Sequence, residues 1–257
     1  MARIESRIKL DSKNKNKPNN PEEGRNLNEN STTKSNSLAR AYYRFNLIEK
    51  RVMESLISQL NPKCEAVSQI QKLELKAIDY SRTFNVSKKH AYEHIENAVG
   101  GLMHKVFSIS TPKGREEFTL MSNAQYVDGE GKITCSFNPY IVPHLIGLHQ
   151  KFTKYPLVAT INFKSSYTWR MYEVLVSWAK NPKHTDGILA GWFTMEINEL
   201  RQTLGIPKSY KFNHVKLRVL DLAKIELKQN LGIELEIKYI KTGRKITHVK
   251  FSFAEIK

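Results

Sequence analysis

The order of the predicted elements repeats once along this chain, and the repeat limits the folds that are open to it. Two helices, a turn, a third helix and a β-hairpin are predicted in residues 36–150 and again in residues 151–257. The copies align at a shift that places Phe84-Asn85-Val86 on Leu204-Gly205-Ile206. A helix-turn-helix followed by a β-hairpin is the winged-helix arrangement, in which the third helix buries one face and leaves the other exposed. We therefore predict an α+β fold of two tandem winged-helix domains, 36–150 and 151–257.

Local patterns locate the elements of the first copy. Asn46 and Glu49 have the spacing of a capping box, which predicts the start of a helix. Asn85 is expected to end the next helix in the left-handed conformation, and the Gly100-Gly101 pair is expected to close the third. Apolar periodicity predicts helices over 46–61, 75–84 and 88–103, followed by strands over 105–111, 116–127 and 132–137.

The second copy shows the same order of patterns. Thr194 is expected to open a helix that Gly205 terminates, and a long helix is expected to begin near Ser209. Spacings of three and four residues give this long helix a buried face of Phe212, Val215, Val219, Leu222 and Ala223. A helix capped by Ser165 or Ser166 precedes them, and strands over 233–240 and 245–253 follow as a hairpin around Thr242-Gly243-Arg244.

The first segment of the chain and its cysteines bear on its environment. Residues 1–35 are nearly free of large apolar side chains, so we predict a disordered polar tail that buries too little surface to offset its ordering entropy. No apolar run of 18 residues occurs and no apolar segment follows Met1, so we expect no membrane span and no secretory signal. Cys64 and Cys135 form no CxxC motif and are expected to be reduced thiols of a cytoplasmic protein.

The charge of the chain is unevenly distributed. The sequence has 41 Lys+Arg against 25 Asp+Glu, a formal charge of +16, and residues 141–257 carry 19 of these cations and 9 of these acids. A folded half with such a field attracts a polyanion and loses affinity as the salt concentration rises. Charge alone leaves open a nucleic acid, an acidic membrane surface, or a basic face that only keeps the protein in solution.

The start of the long C-terminal helix is the strongest candidate for reading DNA. The major groove admits one α-helix, whose N-terminal side chains reach base edges. Asn213 can pair with adenine and Arg218 with guanine, and lysines beside a helix N-terminus suit phosphates. An ordinary solvated helix face is the alternative interpretation. The candidate residues of this segment are Lys208, Ser209, Tyr210, Lys211, Asn213, His214, Lys216 and Arg218.

Two further groups are candidates for contact with the DNA backbone. One is the tip of the hairpin, and the other is the start of the helix near residue 165, where hydroxyls and a cation meet a helix N-terminus. Protection of a hairpin edge and simple helix capping are the respective alternatives. The residues are Lys241, Gly243, Arg244 and Lys245 at the tip, and Lys164, Ser165, Ser166, Tyr167 and Arg170 at the helix start. The helix over 88–103, which carries Glu93 and Glu96, is close to neutral and is expected to serve protein contacts.

Sequence features of catalysis and of metal binding are missing. There is no GxxxxGK[ST] loop, no GxSxG elbow and no paired-cysteine site. No His-x-His pair accompanies the tyrosines, which argues against a DNA-nicking enzyme. His90 and His94 stand four residues apart on one helix, but zinc needs further ligands that are not nearby. We therefore expect a protein that is not an enzyme and has no cofactor and no metal.

Several short segments occur in an order and at spacings that are specific only when taken together. They are Ser37-Leu38-Ala39, Glu49-Lys50-Arg51, Phe152-Thr153-Lys154-Tyr155, the run 165–175, the run 199–205, the run 216–220 and Gly243-Arg244-Lys245. In these segments the chain resembles the replication initiators of iteron-containing, theta-replicating plasmids, the group that includes the F-plasmid initiator. The likeness covers residues 36–253, and residues 221–226 fit the family pattern loosely.

This resemblance implies tandem winged helices of which the C-terminal one reads repeated origin sequences and the N-terminal one supports a homodimer. It also implies that monomers bind the iterons, that dimers repress their own gene, and that host DnaA, the replicative helicase and chaperones are partners. A plain winged-helix transcriptional regulator is the alternative, because operator and origin binding use the same physics.

Overall fold

The computed structural model describes residues 25–66, 71–127, 129–179 and 189–256. The first half contains four α-helices and six strands within these ranges. The helices are α1 (Asn36–Ala39), α2 (Leu47–Ile57), α3 (Ala77–Phe84) and α4 (Lys88–Met103). The strands are β1 (Ser31–Ser35), β2 (Gln71–Lys76), β3 (Val106–Thr111), β4 (Gly114–Thr119), β5 (Met121–Val127) and β6 (Lys132–Phe137).

The second half ends in one long helix and a hairpin. The elements before them are β7 (Phe152–Pro156), α5 (Ser166–Trp178), β8 (Ala190–Glu196) and α6 (Ile197–Thr203). Three consecutive segments then form what we call the C-terminal helix, namely α7 (Phe212–Val215), a π-helical segment (Lys216–Asp221) and α8 (Leu222–Leu231). The hairpin consists of β9 (Ile233–Thr242) and β10 (Lys245–Glu255).

Two sheets with the same topology confirm the predicted winged-helix repeat. Their strand orders are β2-β6-β5 and β8-β10-β9, so in each unit the strand before the helix pair hydrogen bonds to the last strand of the hairpin. A left-handed residue follows the first helix of each pair, Asn85 with φ 52° directly after α3 and Gly205 with φ 65° two residues after α6. The shift that aligns these two residues also aligns β2 with β8, a strand in each copy that the sequence did not reveal.

Several element boundaries differ from the prediction. Thr194 lies inside β8 and does not open a helix, because Phe193 and Met195 point into the core while Thr194 is exposed, as strand alternation requires. The predicted strand 116–127 divides at Leu120, where β4 pairs with β3 and β5 with β6. The C-terminal helix begins at Phe212, three residues after the predicted start.

The predicted start of α2 is confirmed, and the predicted end of α4 is wrong. Asn46 and Glu49 form the capping box at the start of α2, with hydrogen bonds of 2.9 Å and 2.8 Å. The Gly100-Gly101 pair does not close α4, which continues to Met103. A Cβ atom on Gly101 would collide with Oε1 of Glu49. The glycine is therefore explained by the close approach of α2 to α4 and not by a helix end.

The predicted tail of residues 1–35 is wrong over its last part. Strand β1 pairs antiparallel with β7 from Ser31–Pro156 to Ser35–Phe152. Leu27 is buried in the core. All five residues of 31–35 are polar, which concealed this strand, because its buried side chains include a lysine that is neutralised by partners far along the chain. Residues 1–24 of the predicted tail lie outside the described residues.

A cluster of charged side chains is buried where β1, α2, β7 and α5 meet. Nζ of Lys34 lies 2.5 Å from Glu54 and 2.6 Å from Glu173, and Lys50 contacts the same two carboxylates. Burial by itself would raise the pKa of Glu173, but the three surrounding cations outweigh it and hold that pKa well below its usual value. The members are Lys34, Lys50, Glu54, Arg170 and Glu173, with the hydroxyls of Tyr43 and Tyr155.

The remaining expectations about environment concern membrane spans and cysteines. In the described part of the chain, no helix is long and apolar enough to cross a membrane. Cys135 is buried and Cys64 is partly exposed, and neither is part of a disulfide. Burial raises the pKa of the Cys135 thiol to about 12.

Candidate nucleic-acid interface

The first turn of the C-terminal helix lacks the side-chain cap that other long helices have. In each of the other long helices, a side chain accepts a hydrogen bond from an amide of the first turn: Asn46 in α2, Ser87 in α4 and Ser165 in α5. Lys211 holds the corresponding position of α7, and no described side chain caps that end. An uncapped helix N-terminus flanked by lysines offers amide donors and positive charge to an anion.

Arg201 fixes the turn that leads into this helix. Its Nη2 donates a 2.8 Å hydrogen bond to the carbonyl oxygen of Tyr210, and its Nη1 donates one of 3.4 Å to that of Pro207. Arg201 belongs to α6, so it ties the two helices of the winged-helix pair together at their turn. No sequence pattern indicates this role of Arg201, because its partners are main-chain atoms that no side-chain pattern identifies.

Two of the candidate side chains at the start of the helix, His214 and Arg218, contact the ring of Tyr210. The guanidinium carbon of Arg218 lies 5.8 Å from the centre of the Tyr210 ring, and the ring of His214 meets it edge-on at 5.9 Å. His214 and Arg218 therefore lie on one side of the helix, as their four-residue spacing predicts. The π-helical segment contains Arg218 and keeps this alignment.

The start of α5 lies against the same turn. The side chain of Tyr167 lies near Tyr210, and burial, then the neighbouring Tyr210, raises the pKa of Tyr167. The main-chain amide of Lys164 donates to a carboxylate oxygen of Glu226 in α8 at 3.3 Å. These contacts bring the two sequence-predicted groups, 164–167 and 208–218, into one surface.

Exposed cations without acidic partners surround this surface. Among the described residues, no carboxylate lies within 4.0 Å of their charged groups. Further along, Lys228 pairs with Glu234 at 2.9 Å and Lys238 with Glu236 at 3.3 Å, so the unpaired charges are concentrated at the helix start and the hairpin tip. We call this set the cationic surface, and it consists of Lys208, Lys211, Lys216, Arg218, Lys224, Lys241, Arg244 and Lys245.

The tip of the hairpin has the shape that was predicted. Gly243 has φ 61°, so it occupies the left-handed region that a tight turn requires. The hydroxyls of Thr242 and Thr247 lie 3.2 Å apart and brace the turn. Lys241, Arg244 and Lys245 are all exposed and project from the end of the sheet.

The prediction that Arg170 belongs to the interface is wrong. Its side chain is only 3% exposed, so it cannot contact a phosphate on the surface. Its Nη atoms donate to Glu173, to the hydroxyl of Tyr43 and to three main-chain carbonyl groups, those of Ala39, Ala41 and Thr203. The pair Arg170 and Glu173, three residues apart in an otherwise apolar stretch, is the pattern that could have indicated a buried ion pair.

Ser165, Ser166 and Tyr167 are half-buried, whereas Lys164, Ser209, Asn213 and His214 are exposed. Ser165 caps α5 through the amide of Tyr167 at 3.2 Å. The helix-capping alternative therefore accounts for the Ser165 hydroxyl. Exposure leaves the other four side chains accessible to a ligand.

The histidine pair of the first unit has no further metal ligands beside it among the residues that the structure describes. His90 and His94 stack with their ring centres 6.3 Å apart on α4. No group of three or more His, Cys, Asp or Glu side chains in the described ranges is arranged to hold a metal ion. The pKa of His94 is lowered by burial and by the nearby Arg51 and His90.

The fold and the cationic surface define a protein of two winged-helix units, the second with a long helix whose charged face is exposed. A family model described as the WH1 domain of initiator replication proteins matches residues 31–176, and one described as the WH2 domain of initiator Rep proteins matches residues 196–253. The chain belongs to this family of replication initiators.

One of two similar solved structures shows the same architecture. The Pi initiator protein in complex with iteron DNA aligns with a TM-score of 0.71 at 20% identity, over 90% of this chain and 99% of that chain. The WH1 domain of MSBI1.176, a replication protein isolated from a multiple sclerosis patient, aligns over 37% of this chain and 76% of that chain, at 19% identity and a TM-score of 0.27. The first alignment supports the tandem arrangement over nearly the whole chain.

Residues 151–178 connect the two units. Strand β7 pairs with β1, and Glu173 of α5 binds Lys34, which joins this segment to the first unit. The same helix reaches Thr203 through Arg170 and Tyr210 through Tyr167, which joins it to the second. The first family model includes this segment through residue 176, beyond the division at 150 and 151 proposed from the sequence.

Proposed function

We propose that this initiator binds the repeated sequences of a replication origin as double-stranded DNA. The C-terminal helix enters the major groove, where Asn213 and Arg218 contact base edges. The lysines of the cationic surface and the hairpin tip contact phosphates on either side. The Pi initiator aligned above was solved with iteron DNA, which supports the same class of ligand here.

The observation that carries this proposal is the concentration of unpaired cations at one end of the second unit. A cation that is held by a carboxylate gains little from a phosphate, whereas an unpaired one gains a full charge-assisted contact and releases a counterion. Seven of the eight cations of the cationic surface lie at the helix start and hairpin tip, the two places from which a winged helix grips DNA, and Lys224 lies further along the helix in α8.

We further propose that the protein carries out no covalent chemistry. Binding free energy, distributed over several repeats, would distort the adjacent duplex and help to open it. The chain would bind repeats as a monomer and repress its own gene as a homodimer through the first winged-helix unit. Host DnaA, the replicative helicase and chaperones would be its partners. These parts of the proposal rest on the family resemblance.

Titration of the full-length protein with two duplexes tests the DNA-binding part. One duplex carries the direct repeats expected beside the gene, about 20 bp apart so that successive copies face the same side of the helix, and the other has the same composition in shuffled order. We expect tighter binding to the repeats, with an affinity that falls with log salt concentration at a slope of no more than about 7 in magnitude. Equal affinity for both duplexes would contradict the proposal.

A transcriptional regulator and a nicking enzyme are the alternatives. The gene together with the adjacent repeats should sustain a plasmid that lacks another origin, which a plain regulator would not do. Incubation with supercoiled plasmid and Mg²⁺ should leave it supercoiled, and open circles formed only by intact protein would indicate an enzyme.

A further inference from the structure

Leu217 is an apolar side chain in the middle of a charged surface. It is 55% exposed, although leucine in a helix of a folded domain is usually buried. Its neighbours in sequence are Lys216 and Arg218, both exposed members of the cationic surface. The sequence alone does not indicate a role for Leu217, because an apolar residue in a helix with many apolar residues is expected to be part of the core.

The direction in which Leu217 projects follows from its position in the helix. Val215 and Val219 are both 0% exposed and face the core. Leu217 stands two residues from each, which is about half a turn whether the turn is α-helical or π-helical. Asn213, four residues earlier and also exposed, shares its face. Leu217 and Asn213 therefore both lie on the solvent-exposed side of the C-terminal helix.

The chemistry of the major groove supplies a partner for such a side chain. Each base pair presents hydrogen-bond donors and acceptors there, and thymine adds an apolar 5-methyl group. Lys216 and Arg218 on either side would hold the helix close to the DNA and exclude water around the leucine. Contact between an apolar side chain at the centre of this face and a methyl group favours binding, whereas contact with a polar base edge disfavours it.

We propose that Leu217 determines specificity by contacting the 5-methyl group of a thymine in the bound sequence. This inference rests on the proposed function, since it assumes that the C-terminal helix lies in the major groove. It adds a base preference to that function and identifies the residue that reads it. An apolar surface of another protein is the alternative occupant of this position.

A comparison of thymine with uracil isolates the methyl group. The full-length protein first selects its preferred duplex from a random-sequence DNA library, and that duplex is then resynthesised with each thymine replaced in turn by deoxyuridine. Base pairing is unchanged and only the methyl group is lost. For the unmodified protein we expect at least one position where the replacement weakens binding about fourfold, the effect of one buried methyl-sized group.

The variant Leu217→Ala should lose this sensitivity and should bind the thymine and uracil duplexes equally. Its affinity for random duplex and its salt dependence should match those of the unmodified protein, because no charge has changed. Ile225→Ala is the matched control, since Ile225 is 53% exposed on the same helix but about 12 Å further from its start. That variant should keep the uracil sensitivity.

Two results would overturn the inference while leaving the proposed function intact. In one, a sequence is selected but no thymine position is sensitive to uracil. In the other, Leu217→Ala is as sensitive as the unmodified protein. If no sequence is enriched from the library at all, the proposed sequence-specific function fails and this inference falls with it.

Discussion

Nη2 of Arg170 donates a 2.8 Å hydrogen bond to the main-chain carbonyl oxygen of Thr203, the last residue of α6. The same guanidinium group donates to the carbonyl oxygens of Ala39 and Ala41 in the first unit. One side chain of the connecting helix α5 thus joins the first unit to the helix pair of the second. This junction holds the cationic surface in place, although Arg170 is not itself a member of the cationic surface.

Arg170→Ala should lower the free energy of unfolding by about 3–5 kcal/mol, because it leaves buried carbonyl groups without donors and removes one cation from the buried cluster. Denaturation by guanidinium chloride measures the effect. Arg218→Ala is the control, since the same side-chain type is exposed there and its loss should change stability by no more than about 0.5 kcal/mol. Equal midpoints for the two variants would contradict the structural role of Arg170.

The buried cluster predicts an acid-sensitive contribution to stability from Glu173. The pKa of Glu173 lies well below its usual value of 4.5, so its contribution is fully present above about pH 4.5 and is lost as the pH falls toward its pKa in the folded protein. Glu173→Gln should therefore be less stable than the unmodified protein at neutral pH, and the difference should narrow as the pH is lowered. Glu236→Gln, at an exposed carboxylate, should show no such convergence.

Two glycines with almost the same backbone conformation should respond differently to substitution. Gly205 has φ 65° and Gly243 has φ 61°, so an alanine at either position costs about 1–2 kcal/mol of backbone strain. A Cβ on Gly205 would also lie 2.6 Å from the carbonyl oxygen of Tyr43, whereas one on Gly243 meets nothing within 4 Å.

Gly205→Ala should therefore lower the thermal midpoint more than Gly243→Ala, in parallel differential scanning calorimetry. Equal shifts would mean that Tyr43 and its neighbours move away at no cost. In that case the two units would not be held together at this point.

Arg218 and Lys241 should affect DNA binding in different ways. Arg218→Ala should cost about 1–3 kcal/mol on the preferred sequence and relax the preference at one base position. Lys241→Ala should weaken binding to all sequences alike and reduce the salt slope by about one. Fluorescence anisotropy with specific and random duplexes at several salt concentrations separates the two effects. Equal loss on both duplexes for Arg218→Ala would argue against its assignment to a base contact.

Interactions between residues close in sequence made much of the fold predictable. The capping box of Asn46 and Glu49 and the left-handed helix ends at Asn85 and Gly205 all involve contacts within a few residues. For the same reason the exposed charges of 208–218 and of the hairpin tip were identified correctly as surface groups. The strands β1, β2, β7 and β8 were missed, because each is defined by a partner strand that lies far away along the chain.

The sequence by itself determined the tandem order of elements, several of the helix starts and stops, and the location of the excess charge, because caps, periodicity and composition act over short distances. The tertiary structure decided which charges remain available. Lys34 and Glu173 stand 139 residues apart and form an ion pair at 2.6 Å, so each can be buried only after the chain has folded. Arg170 and Arg218 are both arginines, and the sequence predicted both to be exposed on a helix. Packing buries Arg170, which joins the two units, and leaves Arg218 exposed and accessible to a ligand.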